Sequence, residues 1–392
     1  MHLLAIIKTA FFLPPVHGLA LLTVLFIAGI CWQASGGLLI LPIIVAMGAS
    51  AIYFQKNNCE PQCIAIKEYA IHMLLAALFF FGGAYRYYQT AHAYAEFNQA
   101  ITEKILDITG TINSIEKSNA AGYAHAITLV IDNVQQHQQK THIAPTRNYV
   151  IKIYTPEQAQ ELRVGDIILC SNMQCDMPKN DHFVQYNIKE KITHTFFIKN
   201  PQITVLQRPK YSYNRTIHEY RQHITDQLRT KISPPCFALF STIFLGSRDV
   251  DAHSLQTTQE HFIAWGIAHY LARSGLHLVL IIIMLMMLLR FLPLHFYLKQ
   301  AIVIFIIMGY TCMTWFTISY LRSFLMFILS TLCMTLLIEV QLFHIVTLTA
   351  LGILLENPFQ LFFLDFQLSF ALTAALAWYS YLNQYKKIKT LI

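Results

Sequence analysis

The stretch GIAHYLARSGLH, residues 266–277, stands between two strongly apolar runs and decides how the whole chain is read. Polar groups in hydrocarbon cost free energy unless they find a partner or a water-filled cavity. Here His269, Arg273, Ser274 and His277 fall within a few residues of one another, and Gly275 adds backbone freedom beside them. An ionisable cluster inside an apolar region marks a candidate functional site by default.

Working outward, the composition agrees with a membrane setting. The 392 residues are 55% hydrophobic and only 12% charged, which places the chain among polytopic membrane proteins. Runs apolar enough to approach the ~30 Å hydrocarbon thickness recur at residues 19–32, 37–54, 69–85, 277–294, 301–316, 324–340, 341–355 and 366–381. Two shorter runs, 235–246 and 262–272, read as broken or re-entrant helices, tolerated where protein or a cavity shields the backbone. The first run is followed closely by further spans and shows no small-residue cleavage site, so it reads as a span rather than a signal peptide.

Between residues 91 and 209 the character changes. Gln, Asn, Thr, Asp and Lys become frequent, alternating stretches appear at 126–132 and 149–154, and Asn148, Gly165-Asp166 and Met177-Pro178 supply turns. This predicts an inserted, mostly β soluble domain, and short strands at such spacing suit a small barrel, of which the OB-fold is one kind. The predicted organisation is therefore N-terminal spans over 1–90, the β domain over 91–209, a connecting amphipathic helix over 210–231 and a transmembrane bundle over 232–392.

Basic residues near span ends set the orientation. Lys8, Lys56 and Lys67 fall on one side when runs 19–32 and 37–54 form a tight hairpin; the next span then delivers the β domain outward. Arg290, Lys299 and the terminal Lys386, Lys387 and Lys389 fall inside. Outside, a disulfide between Cys170 and Cys175 is open to consideration. Cys59 and Cys63 lack the further ligands a metal site needs, and no metal or other cofactor is expected. Cys31, Cys236, Cys312 and Cys333 read as small packed hydrophobes.

In the connecting segment, Tyr213, Ile217, Tyr220, Ile224 and Leu228 recur at helical spacing, with Arg215, Arg221, Arg229 and Lys231 off that stripe. Two readings stand. Basic and aromatic side chains guide a nucleic-acid backbone, or they anchor an amphipathic helix among lipid headgroups. The net charge of +7 suits both. His253, His261, His269 and His277 recur every eight residues, but successive members drift about 80° around a helix and cannot share a metal. Hydrogen-bonded packing is the plain reading of a single membrane histidine; Arg273 and Ser274 beside it favour a lined cavity.

A glycine, an Ala-His pair and Ser-Gly-Leu-His entering a long apolar helix resemble the signature of the ComEC family, inner-membrane channel proteins of natural competence. Other matches keep the family's order. Arg322-Ser323 in SYLRSFLM resembles its intramembrane Arg-small step. Asn357-Pro358 followed by FQLSF at 366–370, with Gln367 and Ser369, is similar to its Pro…Phe-Gln-Leu-Ser-Phe segment. Leu245-Gly246-Ser247-Arg248 resembles an upstream Gly-Asp-Arg-type step, and NDHFVQYNI at 180–188 resembles the end of its OB-like domain, with Val184-Gln185 where an acidic residue is usual. The resemblance selects the OB-like form for the inserted domain.

It also implies a function: an inner-membrane channel component that passes single-stranded DNA during transformation, with His269, Arg273, Ser274, Gly275, His277, Arg322, Gln367 and Ser369 along or beside the path. The implied location is the bacterial cytoplasmic membrane, multi-pass, with the β domain outside. Implied partners are single-stranded DNA, membrane lipid, a DNA receptor and a cytoplasmic motor, with a homo-oligomer left open; no G-x-x-x-x-G-K-[ST] loop supplies energy from this chain. Arg273 replaces a residue that is often Ile in the family. The bundle is shorter than in relatives, and the H-x-H-x-D-H cluster of their metallo-β-lactamase-like domain is missing from the sequence, so no enzymatic activity is carried over. The rival readings are a small-solute or ion transporter with an accessory domain, a non-conducting remnant of a DNA channel, and an intramembrane hydrolase built on Ser274 that lacks an acidic orienter nearby.

Overall fold

A computed structural model describes residues 17–36, 62–101, 104–118, 123–136, 142–143, 150–155, 162–174, 181–197, 202–245, 264–265, 275–314, 318–338 and 340–391. The chain divides into two compact units, Met1–His92 with Ile318–Ile392, and Ala93–Thr317.

In the first unit the helices are α1 (His17–Ala34), α2 (Gln62–Ile101), then, after the second unit's elements, α8 (Ile318–Thr335), α9 (Leu342–Glu356) and α10 (Leu364–Leu391). Helix α9 is the central one: Ile345, Val346, Thr349, Ala350, Leu351, Ile353 and Leu354 are all buried, and it packs on α1, α8 and α10. Phe26 and Ile30 of α1 and Phe366 and Phe370 of α10 complete that core. Helices α1 and α2 approach closely because each carries a glycine at the crossing: a Cβ on Gly29 would collide with the Phe80 carbonyl, and one on Gly83 with the Phe26 carbonyl. Small residues at a crossing let two helix backbones approach closely enough to pack.

Helix α2 runs unbroken past residue 91, the expected start of the β domain, because AHAYAEFNQA contains no Gly or Pro to stop it, and the division between the two units falls within it at His92/Ala93. Phe97 and Ile101, four apart on one face, are buried in the core of the sheet that follows.

In the second unit the strands are β1 (Ile105–Lys117), β2 (His125–Gln136), β3 (His142–Ile143), β4 (Val150–Thr155), β5 (Ile167–Gln174), β6 (Ile192–Phe197) and β7 (Gln202–Gln207), with helix α3 (Asp181–Lys189) between β5 and β6. They form one sheet in the order β6-β4-β2-β1-β5-β7, with β3 beside β2. Pairing is antiparallel except for β4 and β6, which run parallel. The alternation predicted at 126–132 and 149–154 is present in β2 and β4. Leu106, Ile112, Ile127, Leu129, Val134, Ile151 and Ile153 are wholly excluded from solvent, each side chain contributing about 1.5–3 kcal/mol by its burial. The NDHFVQYNI stretch becomes α3, whose buried Asn187 accepts from Thr195 Oγ at 3.3 Å.

The same unit continues with α4 (Tyr213–Lys231), α5 (Pro234–Phe240) running into a π-turn at Ser241–Leu245, α6 (Gly275–Arg290) and α7 (Phe296–Met313). The run expected at 235–246 is thus a short, irregular helix. The runs expected at 277–294, 301–316, 324–340, 341–355 and 366–381 all correspond to helices, while 37–54 lies outside the described residues and 262–272 lies almost wholly outside them. Among the described residues one helix, Phe296–Met313, is both long and apolar enough to cross a membrane; Leu21–Ala34, Pro234–Leu245, Gly275–Arg290, Ser319–Thr335 and Leu342–Glu356 are apolar but shorter.

Candidate functional site

His269, Arg273 and Ser274 lie outside the described residues, whereas Gly275 and His277 open α6. Gly275 is buried, and the His277 ring meets Phe244 edge-on with centroids 6.0 Å apart. Phe244 belongs to the π-turn, whose carbonyls depart from the ordinary helical ladder. Tyr310 of α7 donates its hydroxyl to the Phe244 carbonyl at 2.6 Å, so an irregular backbone segment is held by a side chain from a neighbouring helix. The hydroxyl thus gives that carbonyl a hydrogen-bond donor from outside its own helix. Sequence reading missed Tyr310, because nothing local distinguishes a tyrosine that caps another segment's carbonyl from one that packs.

On the same unit, α6 and α7 each show an apolar outward surface. Gln300, Val303, Ile307 and Thr311 form the buried stripe of α7, while Phe305 is 80% exposed. Leu280, Ile283, Met284, Met287 and Leu288 are exposed on α6.

The other polar candidates lie in the unit of α1, α8, α9 and α10. Arg322 of α8 donates to the Ser369 carbonyl of α10, and its guanidinium carbon stands 5.8 Å from the Phe370 ring centroid. Thr373 donates to the same carbonyl at 2.7 Å. The structure therefore brings together Arg322 and Ser369, two residues far apart in sequence that were both singled out. Gln367 is used locally, donating to the Leu361 carbonyl at 2.9 Å. Asn357 accepts from the Phe359 N–H at 3.1 Å and so starts the short 3-10 turn at Pro358–Phe362. A further arginine, Arg86 of α2, was not foreseen: it donates from Nε to the Leu355 carbonyl at 2.6 Å and from a terminal nitrogen to the Glu356 carbonyl at 3.1 Å. It thereby satisfies the last carbonyls of α9, where a cation is also favoured by the helix dipole.

The basic stripe expected on α4 is divided by the structure. Arg215 is committed to the β domain: Nε donates to the Val164 carbonyl at 2.9 Å, one terminal nitrogen to the Pro209 carbonyl at 2.9 Å and the other to Asp166 Oδ1 at 2.7 Å. Asp166 has no exposed side-chain surface and is also held by Arg208 Nε at 3.2 Å and the Arg163 N–H at 3.1 Å. Ser212 caps α4 beside Gly165, whose positive φ of 84° and lack of a side chain admit the serine. Arg221 donates to the Cys312 carbonyl at 3.0 Å in the last turn of α7. Arg229 and Lys231 are exposed in the last turn of α4. The sequence pattern showed four cations off an apolar stripe; it could not show that a buried carboxylate and a helix end claim two of them.

Cys170 is a free thiol at 0% exposure in the sheet core, where burial pushes its pKa up to about 12. Cys175, the other half of the bridge considered from the sequence, lies outside the described residues, as does Cys59.

Residues 250–390 match the family model described as Competence protein. No curated protein and no solved structure matches the chain. The matched segment contains α6 to α10 almost entirely, with Gly275, His277, Arg322, Gln367 and Ser369 all inside it. This match, over residues 250–390, supports a competence protein of the ComEC kind and a role in competence and DNA uptake.

Proposed function

We propose that this chain is a multi-pass component of the bacterial cytoplasmic membrane that passes single-stranded DNA inward during transformation. The observation that carries the reading is the coincidence of the competence match, residues 250–390, with the polar residues embedded in apolar helices. The outward apolar surfaces of α6 and α7 support a lipid setting, since contiguous exposed patches of that kind are uncommon on proteins surrounded by water. The sheet, antiparallel except for the parallel β4–β6 pair at one edge and built from non-consecutive neighbours, supports a small β form of the OB-like kind for the inserted domain. That domain receives the strand on the outer side. His269, Arg273, Ser274, His277 and Arg322 line or border the path, where cations offset the cost of removing phosphates from bulk water. Arg229 and Lys231 are the cations of α4 best placed by exposure to meet phosphate.

The test is deletion of the gene in its host, followed by uptake of labelled DNA, with complementation by His269→Ala, Ser274→Ala and His277→Ala. Uptake lost on deletion and reduced by the alanine variants at unchanged protein abundance is the expected result. Unchanged uptake on deletion overturns the reading, and loss of a labelled ion or small solute instead supports the transporter alternative.

A further inference from the structure

Helix α4 has no buried residue along its 19 residues, although Tyr213, Ile217, Tyr220, Ile224 and Leu228 recur at helical spacing along one side. Ile217, Ile224 and Leu228 are partly exposed, and Tyr211, Tyr213 and Tyr220 are 87%, 73% and 56% exposed. The first turns of α4 are fixed to the β domain by Arg215 on Asp166 and by Asn214, which donates to Asn113 Oδ1 at 3.0 Å. The apolar side meets the end of α7, the helix long and apolar enough to cross a membrane. The Tyr213 hydroxyl lies 3.9 Å from Cys312 Sγ, and Arg221 donates to the Cys312 carbonyl at 3.0 Å. Tyr213 and Arg221 are eight residues apart, about 12 Å along a helix axis, yet both reach one residue in the last turn of α7. Helices lying side by side meet at successive residues of both, so α4 crosses the end of α7 instead of running along it.

An amphipathic helix set across the end of a membrane span lies at the depth of the lipid headgroups. Tyrosine favours that depth, because its ring is apolar and its hydroxyl stays wet. We infer that α4 lies in the outer headgroup layer, with phospholipid against Tyr213, Ile217, Tyr220 and Ile224. The polar side turns to water: Asp226 stands about 200° round the helix from Ile224, and Arg229 about 180° from Tyr220. Nucleic acid suits the apolar side less well, since a phosphate chain needs cations along its track, whereas Ile217, Tyr220 and Ile224 offer it none. Resting on the membrane reading above, the inference adds a lipid-binding surface and an orientation. Helix α7 emerges outward at Met313, its Lys299 end faces inward as the bias of basic residues expects, and the β domain is seated on the headgroup layer.

The experiment places the full chain in phosphatidylethanolamine–phosphatidylglycerol vesicles and adds one tryptophan at a time, as Tyr220→Trp, Ile224→Trp or Asp226→Trp. The added emission is read as the difference from the wild-type chain, with brominated phospholipid as the quencher in the membrane and iodide as the quencher in water. Tyr220→Trp and Ile224→Trp should lose most of their added emission to brominated lipid and little to iodide; Asp226→Trp should show the reverse. Tyr220→Trp is a conservative exchange, so its result stands even if a bulkier replacement elsewhere on α4 disturbs folding. Iodide quenching at all three positions without lipid quenching overturns the inference and leaves the apolar side in water. Protection of Tyr220→Trp from both quenchers overturns it in favour of a protein contact, and protection that appears only with added oligothymidylate overturns it in favour of nucleic acid. None of these results decides the DNA-uptake reading, which rests on the deletion test.

Discussion

The two regions treat their arginines differently. Beside the sheet, Arg215 and Arg208 close on the carboxylate of Asp166, which has no solvent-exposed side-chain surface. Among the apolar helices of the other unit, Arg86 and Arg322 reach backbone carbonyls, at the end of α9 and at Ser369. The difference follows from what each setting offers. A carboxylate can be buried where several donors converge on it, but a second charge placed among apolar helices carries its own desolvation cost. A carbonyl left over at a helix end is already present and already needs a donor. Charge meets charge beside the sheet, and charge meets peptide dipole among the helices.

The sharpest way to break this comparison is Asp166→Ala, which leaves the largely buried Arg215 guanidinium without its carboxylate. Loss of one partner of a buried pair costs about 3–5 kcal/mol, so thermal unfolding of the sheet region, followed by β-type circular dichroism, should move down more than for any other variant considered. A shift of a degree or less would mean that solvent reaches the pair and that α4 is held by other contacts. Asp166→Asn, which keeps the acceptor for Arg215, should fall between wild type and the alanine variant.

Next in size is the α1–α2 crossing. Gly83→Ala places a methyl against the Phe26 carbonyl and should cost about 1–3 kcal/mol as overpacking, whereas Gly82→Ala meets only the Phe26 ring at 3.9 Å and should be neutral or slightly stabilising. Equal melting temperatures for the two neighbours would show that the helices do not cross at Gly83. Smaller again is Arg86→Lys. One ammonium cannot reproduce the fork that spans the Leu355 and Glu356 carbonyls, and a loss of about 1 kcal/mol is expected. A lysine variant as stable as wild type would place those carbonyls in water.

The smallest effect is on Cys170. With its pKa pushed up to about 12, the thiol stays protonated and the folded chain should resist maleimide at neutral pH, labelling at this position only after unfolding. Folding favours the neutral form, so whatever stability the thiol contributes is whole below the ordinary thiol value of 9.0 and is lost as pH rises toward about 12. Ready labelling in the native chain would show that β5 opens.

Much of the fold was legible from local pattern. Alternation in ITLVI and in VIKIY found β2 and β4, and the apolar runs found α1 and α6 to α10, because period and length are properties of contiguous residues. The change to polar composition at 91 lies beside the division between the units at His92/Ala93, but it did not show that α2 continues across it, because an alanine-rich stretch without a breaker stays helical whatever its polarity. Within the site, Arg322 and Ser369 were each legible as polar residues in apolar surroundings, although their mutual contact was not.

What the sequence determined by itself is the kind of protein: apolar runs interrupted by a polar, alternating segment, with an ionisable cluster in an apolar setting and the order of competence-family motifs. Those features depend on residues close in the chain and on the cost of placing each type in water or hydrocarbon. Only the tertiary structure decided which cations are already engaged, which glycines sit at a crossing, and that Tyr213 and Arg221 meet at one residue in the last turn of α7. Each of these joins residues tens or hundreds of positions apart, and a hydrogen bond or a ring stack depends on ångström-scale separation, which sequence distance does not encode.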